Sequence, residues 1–292
     1  MGAAVETAGL TAWGPDRLEL GEGGRWVGDR LLLVDLLQGR LLEADPARPG
    51  PLRQLFKLDI PLGAVAPISG STDTWLAACG TGIARLDGQG RLEWLERPED
   101  GKSVCMRMND AVADPSGRFW AGSMAYDFTP DAGSLYRVDH DGSVTQVLDG
   151  VTIPNGPAFS DDGATMYFAD SARGTIDRFR VSTSGDLVER ERFAQLKTGV
   201  EHPDGMSVDA EDHLWVAVWG GSDARRYHPD GRVVQTVRVP ALQASSVCLV
   251  GHERPRLFIT SAAENQTDEL AGALFVVPAK VAARPADFAR ID

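Results

Sequence analysis

Short runs of alternating apolar and polar residues recur along the whole chain, each closing on a turn signal, and no stretch keeps a helical period for long. Residues 109–149 show the unit most clearly. NDAVADPSG reads as a first strand running into a type I turn, with Pro115 and Gly117 as turn formers. RFWAGSM is a second strand. GSLYRVDHDG sets Leu135, Arg137 and Asp139 against Tyr136 and Val138, then turns at Asp141-Gly142, and SVTQVLDG supplies a fourth, more exposed strand.

The same order repeats. The second strand recurs as RLLLVDL, TWLAACG, RFWAGSM, TMYFADS, HLWVAVW and RLFITSA. With Leu33, Trp75, Phe119, Tyr167, Trp215 and Phe258 as equivalent points, the period is 42–48 residues, the range of propeller blades. An all-β chain of this kind must hide its sheet edges, and radial repetition does so. The expectation is therefore an all-β six-bladed β-propeller with four-stranded antiparallel blades around a central channel, residues 1–292 forming one domain. The sixth unit has only three clear strands, so a terminal segment is expected to close the ring: residues 5–12, or the FARID segment at 288–292.

The innermost strand of each blade lines the channel. Its expected start falls at Glu22, Ala64, Asn109, Asn155, Asp204 and the pair Ser245-Ser246. Four of these six points carry a carboxylate or an amide, and a ring brings them to one mouth. Asn155-Gly156 and Asp204-Gly205 are also good turn dipeptides, yet turn chemistry does not explain four oxygen donors at one phase. Such a set suits a hard divalent cation. His202, beside Asp204, is the one histidine of five near this point. DHDG at 139–142 lacks the later ligands of a calcium loop and reads as a turn. No HExxH, GxSxG or helix-linked phosphate loop is present.

Composition narrows the partners. The net charge of −13 disfavours nucleic acid and anionic membranes, which would repel the chain. Cys79, Cys105 and Cys248 lack CxxC spacing and are expected to be reduced and buried. The N-terminus has neither the basic nor the apolar region of a signal peptide, and Glu6 stands where a myristoylation signal wants Ser or Thr, so the expected compartment is the cytoplasm.

LGEGGRW, RMNDAVADPSGRFWAGSM, IPNGPAFSDDGATMYFADS and HPDGMSVDAEDHLWVAVWGG resemble the hallmark segments of the regucalcin/gluconolactonase (senescence marker protein-like) family from about Leu20 to Trp219. The resemblance implies a six-bladed propeller that hydrolyses sugar lactones to sugar acids with one divalent metal cation, of which Ca²⁺, Zn²⁺, Mn²⁺, Mg²⁺ and Fe²⁺ are candidates. It implies Glu22, Asn155 and Asp204 as metal ligands and Arg107, Asn109 and Asp127 as substrate-binding residues. Asp204, a carboxylate at the metal that can accept the water proton, is the expected general base. Met108 replaces a common Phe or Leu, Gly24 a common Pro, and Asp127 is one methylene shorter than the usual glutamate. Ala64 and the Ser245-Ser246 pair are expected to leave room for the lactone, with loops 97–106, 126–133 and 262–270 setting selectivity. A phosphotriesterase-like hydrolase using the same cation, and a non-catalytic calcium-binding propeller, are the alternatives.

Overall fold

The computed structural model of the chain describes residues 4–6 and 9–292. Its strands form six antiparallel sheets in chain order. Blade 1 runs through Gly21–Val27, Arg30–Asp35, Arg40–Ala44 and Arg53–Lys57, and blade 2 through Leu62–Pro67, Thr74–Cys79, Gly82–Asp87 and Leu92–Glu96. Blade 3 runs through Met106–Ala113, Phe119–Ala125, Gly133–Val138 and Val144–Val151. Blade 4 comprises Pro154–Phe159, Thr165–Asp170, Thr175–Val181 and Leu187–Gln195. Blade 5 comprises His202–Val208, Leu214–Trp219, Asp223–Tyr227 and Val233–Arg238, and Ala4–Glu6 joins its outer strand in parallel. The first strands of neighbouring blades touch in a closed circuit. The chain is an all-β six-bladed propeller, and among the described residues no helix is long and apolar enough to cross a membrane.

Blade 6 has Ala244–Val250, Arg256–Ser261 and Phe275–Pro278, and the N-terminal pair Thr11–Ala12 completes it by pairing with Val276 and Phe275. The fourth strand thus comes from within residues 5–12; residues 7 and 8 lie outside the described residues. FARID does not close the blade. Residues 279–292 instead form a strap across the face where the inner strands end. Its backbone bonds reach Pro255 and Gly251 of blade 6, Ala210 of blade 5, Trp26 of blade 1, Pro67 and Ser69 of blade 2, and Gly117 and His140 of blade 3. Arg284 adds blade 4, donating to the Phe159 carbonyl at 3.2 Å and pairing with Asp161 at 2.9 Å. The strap touches every blade.

The alternation seen in the sequence explains the cores. Each strand turns one side to the next blade, and six apolar clusters fill the spaces between neighbours. Blades 1 and 2 share Leu32, Val34, Phe56, Leu62 and Trp75, while blades 4 and 5 share Tyr167, Ile176, Met206, Val216 and Tyr227. Trp75, Trp120, Trp215, Phe119 and Phe258 are among the largest fully buried side chains, and burying one large apolar side chain stabilises by roughly 1.5–3 kcal/mol. In two blades the turn after the inner strand is locked to this core. Asp114 Oδ2 accepts from the Trp120 indole at 2.9 Å, and Asp209 Oδ2 accepts from Trp215 at 3.1 Å. Cys79 and Cys248 are buried as expected, but Cys105 is exposed, because it lies in the loop before blade 3 rather than on a strand.

The inner strands share one more feature. Each has an extra residue relative to its partner at the same phase: after Glu22, Leu62, Met108, Asn155, Pro203 and Ala244. A bulge of this kind twists the strand and re-aims the side chains beside it. In four blades Glu22, Asn109, Asn155 and Asp204 fall at or inside the bulge, at the mouth away from the strap. Gly63 makes the close packing there possible, since a Cβ on it would come within 2.0 Å of the Asn109 carbonyl oxygen.

Candidate active site

A cavity of about 240 Å³ opens at this mouth. Its size is just below the roughly 300–1,000 Å³ of typical ligand pockets, which suits one sugar ring rather than an oligosaccharide. Glu22, Arg107, Asn109, Asn155, Ser171, His202, Asp204 and Glu264 supply its polar wall; Leu20, Met124, Phe128, Ile153 and Trp219 supply the apolar one.

One hydrogen-bond chain fixes much of the polar wall across three blades. Arg107 Nη1 donates to Asn109 Oδ1 at 2.6 Å. Asn109 Nδ2 donates to the Pro154 carbonyl at 2.8 Å and to Asn155 Oδ1 at 3.0 Å. Asn155 Nδ2 donates to Ser171 Oγ at 2.8 Å, and that hydroxyl donates to the Pro203 carbonyl. Each amide has therefore a determined orientation. Asn155 Oδ1 keeps one lone pair free for a further partner. His202 Nδ1 lies 2.7 Å from the Ser171 carbonyl; a carbonyl only accepts, so Nδ1 carries the hydrogen and the neutral ring keeps Nε2 as an acceptor.

Glu22 and Asp204 face this amide chain as buried carboxylates. Glu22 Oε2 is fully enclosed and has no hydrogen-bond partner. Burial, then the neighbouring carboxylates, push both groups well above the usual carboxylate range; Arg107 offsets the shift only in part. Asp110 adds a third buried carboxylate, raised by burial and paired with Arg25 at 3.4 Å. Three buried carboxylates face two guanidinium groups, so full ionisation would leave negative charge without a counter-ion, a cost that protons or a bound cation remove. Among the described residues no group of three His, Cys, Asp or Glu stands in metal-holding positions. Glu22 and Asp204 supply only two such side chains, and an amide, Asn155, is the neighbour that offers a third oxygen. The donor set is all oxygen and fits a hard divalent cation.

Not every expected residue reaches the cavity. Glu22, Arg107, Asn109, Asn155 and Asp204 line it, as does His202. Asp127 does not: it is exposed, and its Oδ1 accepts from the Thr129 backbone at 3.0 Å and hydroxyl at 2.6 Å. This local turn draws the short carboxylate away, and Phe128, at φ 57°, takes the wall position instead. Ala64 and the Ser245-Ser246 pair also stay off the cavity wall. Their smallness serves packing between inner strands, for a Cβ on Gly205 would meet Ser246 at 2.7 Å. Of the three loops, 126–133 contributes Phe128 and 262–270 contributes Glu264, while 97–106 contributes no wall residue. Sequence reasoning missed Ser171, Trp219 and Glu264. Ser171 opens the short 3-10 turn directly after the second strand of blade 4, and Trp219 ends the second strand of blade 5, opposite His202; their place at the end of a second strand was the available signal.

Comparison with known proteins agrees with this architecture. Residues 20–263 match the SMP-30/Gluconolactonase/LRE-like region. The chain is 34% identical to the pentonolactonase XacC of Haloferax volcanii, over 91% of this chain and 93% of that protein. It is 32% identical to regucalcin of Gallus gallus, over 88% and 87%. The solved structure of a calcium-binding protein, regucalcin, from Agrobacterium tumefaciens superposes with a TM-score of 0.89 at 28% identity, covering 99% of this chain and all of the other. The chain belongs to the SMP-30/gluconolactonase/LRE-like family.

Proposed function

We propose that the protein hydrolyses a sugar lactone to the corresponding sugar acid with a divalent cation held by Glu22, Asn155 and Asp204. The observation that carries this reading is the buried pair Glu22 and Asp204, with Glu22 Oε2 unpartnered, beside Asn155 and Arg107 in a cavity the size of one sugar ring. The pentonolactonase similarity supports the same substrate class.

The bound cation would supply Lewis-acid stabilisation of negative charge on the lactone carbonyl oxygen. The protein's own groups do the rest. Arg107 spends Nη1 on Met108 and Asn109, so Nε and Nη2 remain to hold substrate oxygens. Asn109, with both amide hydrogens committed to Pro154 and Asn155, keeps the Asn155 carbonyl oxygen aimed. An Asp204 carboxylate oxygen takes a proton from the attacking water as the new C–O bond forms at the lactone carbon. When the carbon–ring-oxygen bond breaks, that proton passes to the ring oxygen, which leaves as a hydroxyl. Water is consumed and no redox step occurs.

Hydrolysis of gluconolactone, xylonolactone, arabinolactone and galactonolactone, assayed with Ca²⁺, Zn²⁺, Mn²⁺, Mg²⁺ and Fe²⁺, tests the proposal. Metal-dependent turnover above the spontaneous rate, lost in Asp204→Ala, is expected. Turnover of phosphotriesters but no lactone would favour the phosphotriesterase-like reading. No turnover with any metal would leave a calcium-binding propeller without catalysis.

A further inference from the structure

We propose that Glu264 is the acceptor that reads the substrate's hydroxyl groups, acting across the cavity from Arg107. The inference rests on the lactone reading above and adds a specificity residue to it. Glu264 lies in the loop of blade 6 that follows the second strand, one residue beyond the stretch matched to the family. It lines the cavity together with Arg107.

Its position is built, not incidental. The Ala263 amide donates to the Leu18 and Glu19 carbonyls at 3.1 Å, and the Glu264 amide donates to Glu19 at 3.1 Å. The Gln266 amide closes back on the Ala263 carbonyl at 3.0 Å, with Asn265 at φ 54° completing the turn. These bonds hold the backbone of Glu264 against blade 1, whereas its carboxylate takes part in no hydrogen bond or ion pair among the described residues.

Arg107 is the complement. Burial lowers its pKa, and the charges of Tyr126, Glu22, Glu264 and Asp204 act in the opposite direction. Glu264 is thus near enough for its charge to be felt and too far for a direct pair. A gap remains between a group that only donates and one that only accepts. A sugar hydroxyl does both: its oxygen accepts from Arg107, and its O–H, or that of a neighbouring hydroxyl, donates to Glu264. A ring without hydroxyls would leave both ionic groups desolvated and unpartnered, which is how a site rejects an analogue lacking the polar group. Ile153, Met124 and Trp219 offer the carbon face of such a ring an apolar surface. Asp127, bonded to Thr129, is not placed for this role.

Two measurements test the assignment on the full chain. The first is calorimetric binding of anhydroglucitol, a polyhydroxylated ring that cannot be hydrolysed. The second is kcat/KM for gluconolactone relative to unsubstituted valerolactone. Glu264→Ala should weaken anhydroglucitol binding about 10-fold or more and lower the gluconolactone-to-valerolactone ratio by a similar factor. Glu264→Gln, which keeps an acceptor oxygen, should recover part of both losses. Unchanged anhydroglucitol binding in Glu264→Ala, or an equal fall on both lactones, overturns the proposal. A protein that hydrolyses neither lactone yet binds anhydroglucitol in a Glu264-dependent way would refute the hydrolase reading and leave Glu264 in its role. A protein that binds no anhydroglucitol would refute the role itself.

Discussion

Asn109 on blade 3 and Asn155 on blade 4 are joined side chain to side chain, the first donating Nδ2 to Oδ1 of the second at 3.0 Å. The other hydrogen of the same amide is fixed on the Pro154 carbonyl at 2.8 Å, so Asn109 cannot turn without breaking two bonds. It therefore aims the oxygen proposed to hold the cation. Asn109→Ala should weaken divalent-metal affinity about 10–100-fold, the usual effect of removing a group that orients a ligand. Calorimetric titration with Ca²⁺ or Mn²⁺ reads this directly, and an unchanged affinity would separate Asn109 from the metal.

Paired carboxylates at the proposed site should make metal binding pH-dependent. Glu22 and Asp204 are raised in the folded protein by burial, then by neighbouring negative charge. In the metal-free protein their contribution to stability is present below the unfolded carboxylate pKa and is lost as pH rises through the folded values. A cation requires the ionised forms, so its affinity should rise as pH climbs above the ordinary carboxylate range, with proton release. At 100 times its Kd, such an ion adds about 2.7 kcal/mol. The thermal shift caused by saturating metal should therefore grow towards neutral pH and vanish with chelator. A shift independent of pH would contradict the paired-carboxylate site.

Far from the cavity, burial raises Asp287 in the strap to about 6, with Asp114 and Asp161 acting in the same direction and Arg284 against it. Its protonated form favours the fold, so this contribution is lost as pH rises from about 4 through about 6. Asp287→Asn should remove the loss and make the protein more stable near neutrality, on the order of 1–2 kcal/mol after allowance for partial exposure. Urea unfolding as a function of pH is the measurement. Equal stability of both proteins across that window would reject it.

The strap itself should matter more than its length suggests. Deleting residues 283–292 removes backbone bonds to blades 1, 2, 3 and 6 and exposes the site of Ala289, which is buried against blades 2 and 3. The expected cost is at least about 3 kcal/mol, given about 1 kcal/mol for each lost bond. Ala289→Glu, which places a charge in that core, is the companion variant should the truncation fail to accumulate. Unfolding midpoints close to the parent in both variants would show that the strap is not a fastener.

The blades were legible because their signals are local. Alternation, turn residues and the recurrence of a large apolar position from Leu33 to Phe258 follow from chain chemistry alone. The phase that brings Glu22, Asn109, Asn155 and Asp204 together was legible for the same reason. What escaped depends on contacts between distant segments. The bulge in every inner strand is a relation between two strands, and the sequence of one strand does not display it. FARID lacks strand alternation because its partners are turns and strand ends on blades 2 and 3. Asp127 was placed in the right loop, but its direction is set by Thr129 two residues on. Glu264 sits in a loop already named as a cover, yet only the anchoring to Glu19 shows which of its residues faces inward.

Residues 284–287 lie over the far end of the central shaft and leave only about 70 Å³ beside them. The proposed reaction chamber is in that case a cul-de-sac. Substrate and product of the proposed reaction would share one doorway, so the sugar acid would have to leave before the next lactone arrives. Accumulated acid would then slow turnover as a competitive inhibitor, and the pace of the whole cycle would be governed by traffic at that doorway as much as by chemistry within.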